Sequence, residues 1–93
     1  AYIFLLLESL TEAGVEAGLS TEMARMLALH TVMGSCKLAE ETGETFPHLR
    51  EQVTSPGGTT EAALTVLMKN DNFKKILKEA VNKAAKRSCE LSK

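Results

Sequence analysis

The chain has 93 residues, of which 44% are hydrophobic and 25% charged, with a net charge of −1. This length allows one small domain, and a content of four aromatic residues without tryptophan favours an aliphatic core between helices. The two histidines and two cysteines are scattered singly and do not have the spacing of a zinc site. The opening run AYIFLLLESL is shorter than the roughly 20 residues of a membrane span, and it lacks the basic residues that begin a signal peptide.

These features predict a soluble, cytoplasmic protein without a metal site or a membrane anchor.

The first predicted helix covers residues 1–18. Its apolar residues recur at helical spacing, while Glu8, Glu12 and Glu16 follow a different face. Gly18 suits the helix end, and Ser20 or Thr21 suits the cap of the next helix. The helical pattern begins at the first residue without a capping residue before it. We therefore expect the chain to be the C-terminal part of a longer protein.

The second predicted helix, residues 21–42, is unusual because its middle carries no charge. The eleven residues MLALHTVMGSC separate Arg25 from Lys37 and include no formally charged side chain. A surface helix of a small domain should present a charged face to solvent. We therefore expect this helix to be buried on more than one side, near the centre of an obligate dimer.

The remaining pattern predicts three more helices. Gly43 ends the second helix, and Phe46-Pro47 begins a short helix that runs through Val53. A fourth helix is predicted over residues 60–70, where Asn70-Asp71-Asn72 breaks the chain and recaps it. The fifth helix begins near Phe73 and has a clear apolar stripe surrounded by lysines. The sequence thus predicts an all-α protein of about five helices and no strand.

Charge is divided unevenly along the chain. Residues 1–68 hold nine acidic and three basic side chains, whereas residues 69–93 hold three acidic and eight basic ones. A basic end can indicate a nucleic-acid site. This one has a single aromatic residue and no arginine-rich or glycine-rich element, so a solvated helix face is favoured and no nucleic acid is expected. The basic end can also complement the acidic part within an oligomer.

The loop TSPGGTT, residues 54–60, has more glycine, proline and hydroxyl residues than a simple connection between helices needs. The first amides of a helix lack intrahelical partners and lie at the positive end of its dipole, so small residues and hydroxyls there suit a carboxylate or phosphate. It is not a Walker A loop, because no lysine follows the glycines, and it is not a dinucleotide fingerprint. From the residues alone, an anion site and an elaborate structural turn both stay open.

Four linked motifs carry a family resemblance along nearly the whole chain. They are AYIFLLLESLTEAGVEAGL, MARMLALHTVMGSCKLAEETGE, P-x-L-R-E-Q-V-T-S-P-G-G-T-T and EAV-x-x-A-x-x-R-S-x-E-L. In this order they resemble the pyrroline-5-carboxylate reductases, which reduce 1-pyrroline-5-carboxylate to L-proline in proline biosynthesis. The resemblance implies that residues 1–93 are the C-terminal helical dimerisation and substrate-binding domain, without the family's N-terminal Rossmann domain.

The resemblance also implies partners, a cofactor and a site. Two such helical domains interlock in a homodimer, often within a ring of dimers, and the Rossmann domain binds NADP or NAD. In the loop, the Ser55 hydroxyl and the backbone amides at Gly58 and Thr59 hold the substrate carboxylate, with Gly57 in the same substrate-binding set. The Thr60 hydroxyl reaches the ring nitrogen, which makes Thr60 the catalytic residue. This chain alone is expected to bind no cofactor and to be inactive.

Two other readings stay open at this point. One is a paralogous reductase that acts on a different cyclic imine, because the substrate-contacting set is too short to exclude a six-membered ring. The other is a non-enzymatic helical dimerisation module in which the loop is only structural.

Overall fold

The computed structural model describes all of residues 1–93. It contains five α-helices and no strand, which confirms the predicted all-α fold. The helices are α1 (Tyr2–Glu16), α2 (Thr21–Thr42), α3 (Phe46–Gln52), α4 (Thr59–Leu67) and α5 (Asn72–Leu91), and a 3₁₀ turn (Lys69–Asp71) precedes α5. The chain divides into two compact units, Ala1–Leu49 and Arg50–Lys93, which are described separately below.

In the first unit, a tight connection joins α1 to α2. Gly18 has φ +110°, a left-handed value that favours glycine, and its N–H donates to the carbonyl of Val15 at 3.0 Å. The hydroxyl of Ser20 then accepts from the N–H of Met23 at 3.1 Å. The predicted serine cap is confirmed, whereas α1 ends at Glu16, two residues before the predicted end at residue 18.

The contact between α1 and α2 is made through small residues. A Cβ atom placed on Gly14 would lie 3.0 Å from the Cβ of Ala24, so the two backbones approach closely at this point. Ala24 and Ala28, at 3% and 7% exposure, are the only buried hydrophobic residues of the chain. The large apolar side chains of both helices are at most half-buried, and Leu7, Leu29 and Val32 are the most covered of them.

The uncharged middle of α2 is largely uncovered within the chain. Met26 is 48% exposed and Met33 is 56% exposed. The helix ends as predicted at Gly43, which has φ +65° and donates its N–H to the carbonyl of Ala39 at 3.0 Å. Of the side chains that the sequence predicts to be buried, Ala28 is buried within the chain, whereas the two methionines are exposed.

In the second unit, a sharp break separates α4 from α5. Asn70 and Asp71 have φ values of 54° and 56°, which are left-handed values that asparagine and aspartate tolerate better than most residues. This confirms the predicted break, and it ends α4 at Leu67 rather than near residue 70. Beside the break lies an open groove lined mainly by Leu64, Leu67, Met68, Phe73 and Leu77.

Neither a membrane span nor a metal-binding cluster is found. The helices all fall short of the combined length and apolar character that crossing a bilayer demands. No three side chains of His, Cys, Asp or Glu lie close enough together to hold a metal ion. Cys36 and Cys89 are both free and exposed.

Candidate functional site

The loop that connects α3 to α4 begins with a threonine that closes α3. The Thr54 hydroxyl donates to the carbonyl of Arg50, and the Thr54 N–H donates to the carbonyl of Glu51 at 3.1 Å. These two bonds satisfy carbonyls of the last turn of α3, which would otherwise need other partners. These bonds thus hold Thr54, where the loop begins, against the end of α3.

A four-residue turn follows, from Ser55 to Gly58. The Gly58 N–H donates to the Ser55 carbonyl at 3.0 Å, with Pro56 and Gly57 at the two central positions. Gly57 has φ +71°. Proline followed by a glycine of positive φ is the pattern of a type II turn. Helix α4 begins at Thr59, directly after the turn.

The two glycines of the turn are required for different reasons. Gly57 needs its positive φ, although a Cβ there would meet nothing within 4 Å. Gly58 has an ordinary φ of −89°, but a Cβ there would lie 3.1 Å from the Ser55 carbonyl oxygen. Conformation therefore selects glycine at 57, and lack of space selects it at 58.

The start of α4 presents backbone donors without partners. Gly58 is the N-cap residue and has no side chain to cap the helix, and the first bond into the helix is Ala62 N–H to the Gly58 carbonyl at 3.2 Å. The amides of Thr59, Thr60 and Glu61 precede that bond and have no acceptor. Three free amides at the positive end of a helix dipole can bind a small anion.

Glu61 is a component of the loop that the sequence reasoning did not single out. Its carboxylate oxygen Oε1 accepts a hydrogen bond from the Gly57 N–H at 3.2 Å. A glutamate at the third helical position often reaches back to a free amide before the helix, and this spacing was the available signal. Here it reaches Gly57, because the N-cap amide of Gly58 already donates to Ser55.

The structure brings all five predicted site residues onto this turn and the first residues of α4. The hydroxyls of Ser55, Thr59 and Thr60 are exposed and make no hydrogen bond within the chain. The Thr59 amide is free, whereas the Gly58 amide is engaged in the turn. The roles predicted for these residues toward a substrate stay predictions.

The turn follows a helix in a chain without strands, so it is not the strand–turn–helix unit in which a Rossmann fold binds a dinucleotide.

Comparisons with known proteins find relatives along nearly the whole chain. A family model described as pyrroline-5-carboxylate reductase dimerisation matches residues 1–91. The pyrroline-5-carboxylate reductase of Synechocystis sp. is 46% identical over 93 residues, which cover 100% of this chain and 34% of that protein. The Arabidopsis thaliana protein of the same name is 49% identical over 92 residues, 99% of this chain and 33% of that one. The chain thus spans about a third of the length of the curated relatives that it matches.

A solved structure shows the same arrangement of helices. The crystal structure of Plasmodium falciparum pyrroline carboxylate reductase with NADP bound matches with a TM-score of 0.88 at 38% identity. The match covers 94% of this chain and 33% of that chain.

Proposed function

The chain belongs to the pyrroline-5-carboxylate reductase dimerisation family, and on this premise we propose that residues 1–93 are the C-terminal helical domain of a pyrroline-5-carboxylate reductase. The whole enzyme would reduce 1-pyrroline-5-carboxylate to L-proline with NADPH or NADH. The observation that carries the proposal is the family match over residues 1–91, which includes the turn and the free amides of α4. Relatives that share this domain are named for that reaction.

In this proposal the loop holds the substrate by its carboxylate. The Ser55 hydroxyl and the free amide of Thr59 donate to the carboxylate, and Gly57 and Gly58 allow it to approach. The Gly58 amide joins them if its bond to the Ser55 carbonyl is exchanged for one to the substrate. Each such bond to a charged acceptor is stronger than a neutral one, which suits a small ligand with one carboxylate.

We assign Thr60 a role at the reacting end of the substrate. Reduction of the ring forms a carbon–hydrogen bond at the imine carbon and leaves the nitrogen as an amine. We assign the Thr60 hydroxyl a hydrogen bond to that nitrogen, which orients the ring while its charge and geometry change. The contribution of this domain to catalysis is thus orientation of the substrate.

The hydride donor and the partner chain complete the proposal. NADP or NAD would be bound by an N-terminal Rossmann domain outside this chain, because residues 1–93 lack the strand and the glycine fingerprint for it. Two copies of this domain would interlock in a homodimer, since the exposed apolar side chains of α2 need cover. The family resemblance alone suggests that such dimers assemble into a ring. We place the enzyme in the cytoplasm.

Turnover by the full-length protein tests the proposal. We expect oxidation of NADPH or NADH to depend on 1-pyrroline-5-carboxylate and to be faster than with the six-membered cyclic imine. Preference for the larger ring would instead assign a paralogous reductase. Absence of turnover, together with no heat of binding for proline, would leave a dimerisation module with a structural loop.

A further inference from the structure

The groove beside the break between α4 and α5 combines uncovered apolar side chains with unpaired charges. Phe73 and Leu77 line it and remain 45% and 43% exposed, so a single chain leaves them largely without cover. Arg50, Lys74 and Asp71 also line it, and none of the three forms an ion pair within the chain. We call this surface, with its two positive charges and one negative charge, the basic groove.

One side of α1 has the opposite arrangement of charge. Phe4, Glu8 and Glu12 follow one another at four-residue spacing, which places them on the same side of the helix. Phe4 is 76% exposed, and neither glutamate forms an ion pair. Arg25 of α2 lines the same surface and is also unpaired. We call this surface, with its two negative charges and one positive charge, the acidic face.

We propose that the acidic face of one copy docks in the basic groove of a second copy. This inference rests on the homodimer of the proposed function and names the two surfaces that meet in it. Phe4 covers the apolar side chains of the groove, the two glutamates meet its two basic residues, and Arg25 meets Asp71. Since both surfaces belong to the same chain, a two-fold dimer makes this contact twice. Complementary charges determine which surfaces of two chains meet.

Charge also favours α1 over α2 as the helix that enters the groove. The middle of α2 exposes apolar side chains such as Met33, but this segment has no formally charged residue. It would cover Arg50 and Lys74 without supplying an opposite charge, and a covered charge without a partner is costly. Helix α1 has three acidic residues and no basic one, so it supplies both the apolar side chain and the carboxylates.

Charge reversal tests whether the two surfaces meet between chains. In the full-length protein, Glu8→Lys/Glu12→Lys makes the acidic face basic. Arg50→Glu/Lys74→Glu makes the basic groove acidic. Each variant alone places like charges opposite each other at both contacts of its homodimer. In a mixed dimer of the two variants, one contact joins the two reversed surfaces and the other joins the two unchanged surfaces, so both contacts are complementary again.

We expect each reversed variant alone to dimerise about 100-fold more weakly than wild type, because four ion pairs worth about threefold each are lost from the dimer. Sedimentation equilibrium measures these constants, and the difference should shrink at high ionic strength. An equimolar mixture of the two variants, one of them isotope-labelled, should contain mainly the mixed dimer by native mass spectrometry. If either variant fails to fold alone, co-expression of both should recover folded mixed dimer.

The matched control is Glu40→Lys/Glu79→Lys, which makes the same change of net charge at exposed positions that line neither surface. It should dimerise as wild type does and show no preference for a mixed dimer with Arg50→Glu/Lys74→Glu. Equal weakening by the control would mean that net charge, and not this contact, sets the affinity, which would overturn the inference.

The remaining results separate this inference from the proposed function. A wild-type dimer whose reversed variants dimerise with unchanged affinity would overturn the contact, because another surface would then hold the dimer. Two weakened variants that show no preference for the mixed dimer would also overturn it, since the charges would then not meet between chains. A wild-type monomer would contradict the homodimer itself, and the contact with it. Reduction of the imine by the wild-type enzyme tests the proposed reaction independently of all these outcomes.

Discussion

At the scale of single residues, Ser55 and Thr60 are proposed to contact chemically different parts of the substrate. In the proposal, Ser55 binds a carboxylate whose charge is the same in the substrate and in the transition state. Thr60 is proposed to bind a nitrogen whose charge and geometry change during reduction. The two hydroxyls should therefore affect different kinetic constants.

The first prediction concerns Ser55. Ser55→Ala in the full-length enzyme should raise KM about 10- to 100-fold, the scale of one hydrogen bond to a charged group, while kcat changes little. Steady-state kinetics with 1-pyrroline-5-carboxylate measures both constants. A fall in kcat with constant KM would assign Ser55 to the chemical step instead.

The second prediction concerns Thr60. Thr60→Ala should lower kcat, because the lost hydroxyl acts on the nitrogen that changes during the reaction. Thr60→Ser keeps the hydroxyl and is the matched control, so it should retain most activity. If Thr60→Ala and Ser55→Ala both left kcat/KM within about twofold of wild type, which is well under 1 kcal/mol, the loop would be only a connector.

The glycines illustrate how far local sequence reasoning reaches. The sequence predicts a turn at Gly57-Gly58 with unobstructed backbone amides, and the structure has that turn. The sequence does not distinguish the two positions, because a positive φ at 57 and a 3.1 Å approach to the Ser55 carbonyl at 58 depend on the path of the folded loop. The hydrogen bond from the Gly57 N–H to Glu61 likewise depends on the folded turn. The Gly58 N–H already donates to the Ser55 carbonyl, so the Glu61 carboxylate accepts from Gly57 instead.

At the scale of helices, boundaries are predictable where one residue determines them. Ser20 caps α2 with its own hydroxyl, and Gly43 ends α2 in a left-handed conformation. The sequence predicts that α4 ends near residue 70, but it ends at Leu67, because a 3₁₀ turn begins at Lys69 and the left-handed φ of Asn70 does not continue an α-helix. Periodicity identifies the helix, but the folded geometry of the break determines its last turn.

The packing of α1 on α2 could not be predicted from periodicity either. A hydrophobic pattern marks the large apolar residues, yet Gly14 approaches Ala24 closely and the only buried side chains are those of Ala24 and Ala28. Which small residues meet depends on the angle between the two helices, and the hydrophobic periodicity of one helix does not determine that angle.

The third prediction tests this contact. Gly14→Ala should lower the melting temperature of the full-length protein, although alanine is the better helix former by about 1 kcal/mol. The added Cβ would lie 3.0 Å from that of Ala24, and overpacking of this kind costs about 1–3 kcal/mol.

A double-mutant cycle supplies the control for that experiment. The double variant Gly14→Ala/Ala24→Gly removes the facing methyl group, so it should be more stable than the sum of the two single changes predicts. Strict additivity, or a higher melting temperature for Gly14→Ala, would mean that the two positions do not constrain each other.

At the scale of the whole molecule, a single chain buries very little apolar surface. Only two alanines are buried, while residues such as Phe4 and Met33 are 76% and 56% exposed. In a small domain, the free energy gained by burying apolar surface only slightly exceeds the cost in conformational entropy of ordering the chain. The sequence indicated this through the uncharged middle of α2, and the family description as a dimerisation domain agrees with it.

The final prediction is that Met33→Lys prevents folding instead of producing a stable monomer. Within one chain Met33 is more than half exposed, so a lysine there would cost a monomer little. If a second copy covers α2, the same lysine is buried without a partner, and its desolvation costs far more than the lost methionine contact. Glu40→Gln is the control, since it makes the same one-unit change of charge at an exposed position of the same helix. Circular dichroism and sedimentation at micromolar concentration should show a folded dimer for wild type and Glu40→Gln, and no folded protein for Met33→Lys. A well-folded monomer, in wild type or in Met33→Lys, would contradict the obligate dimer.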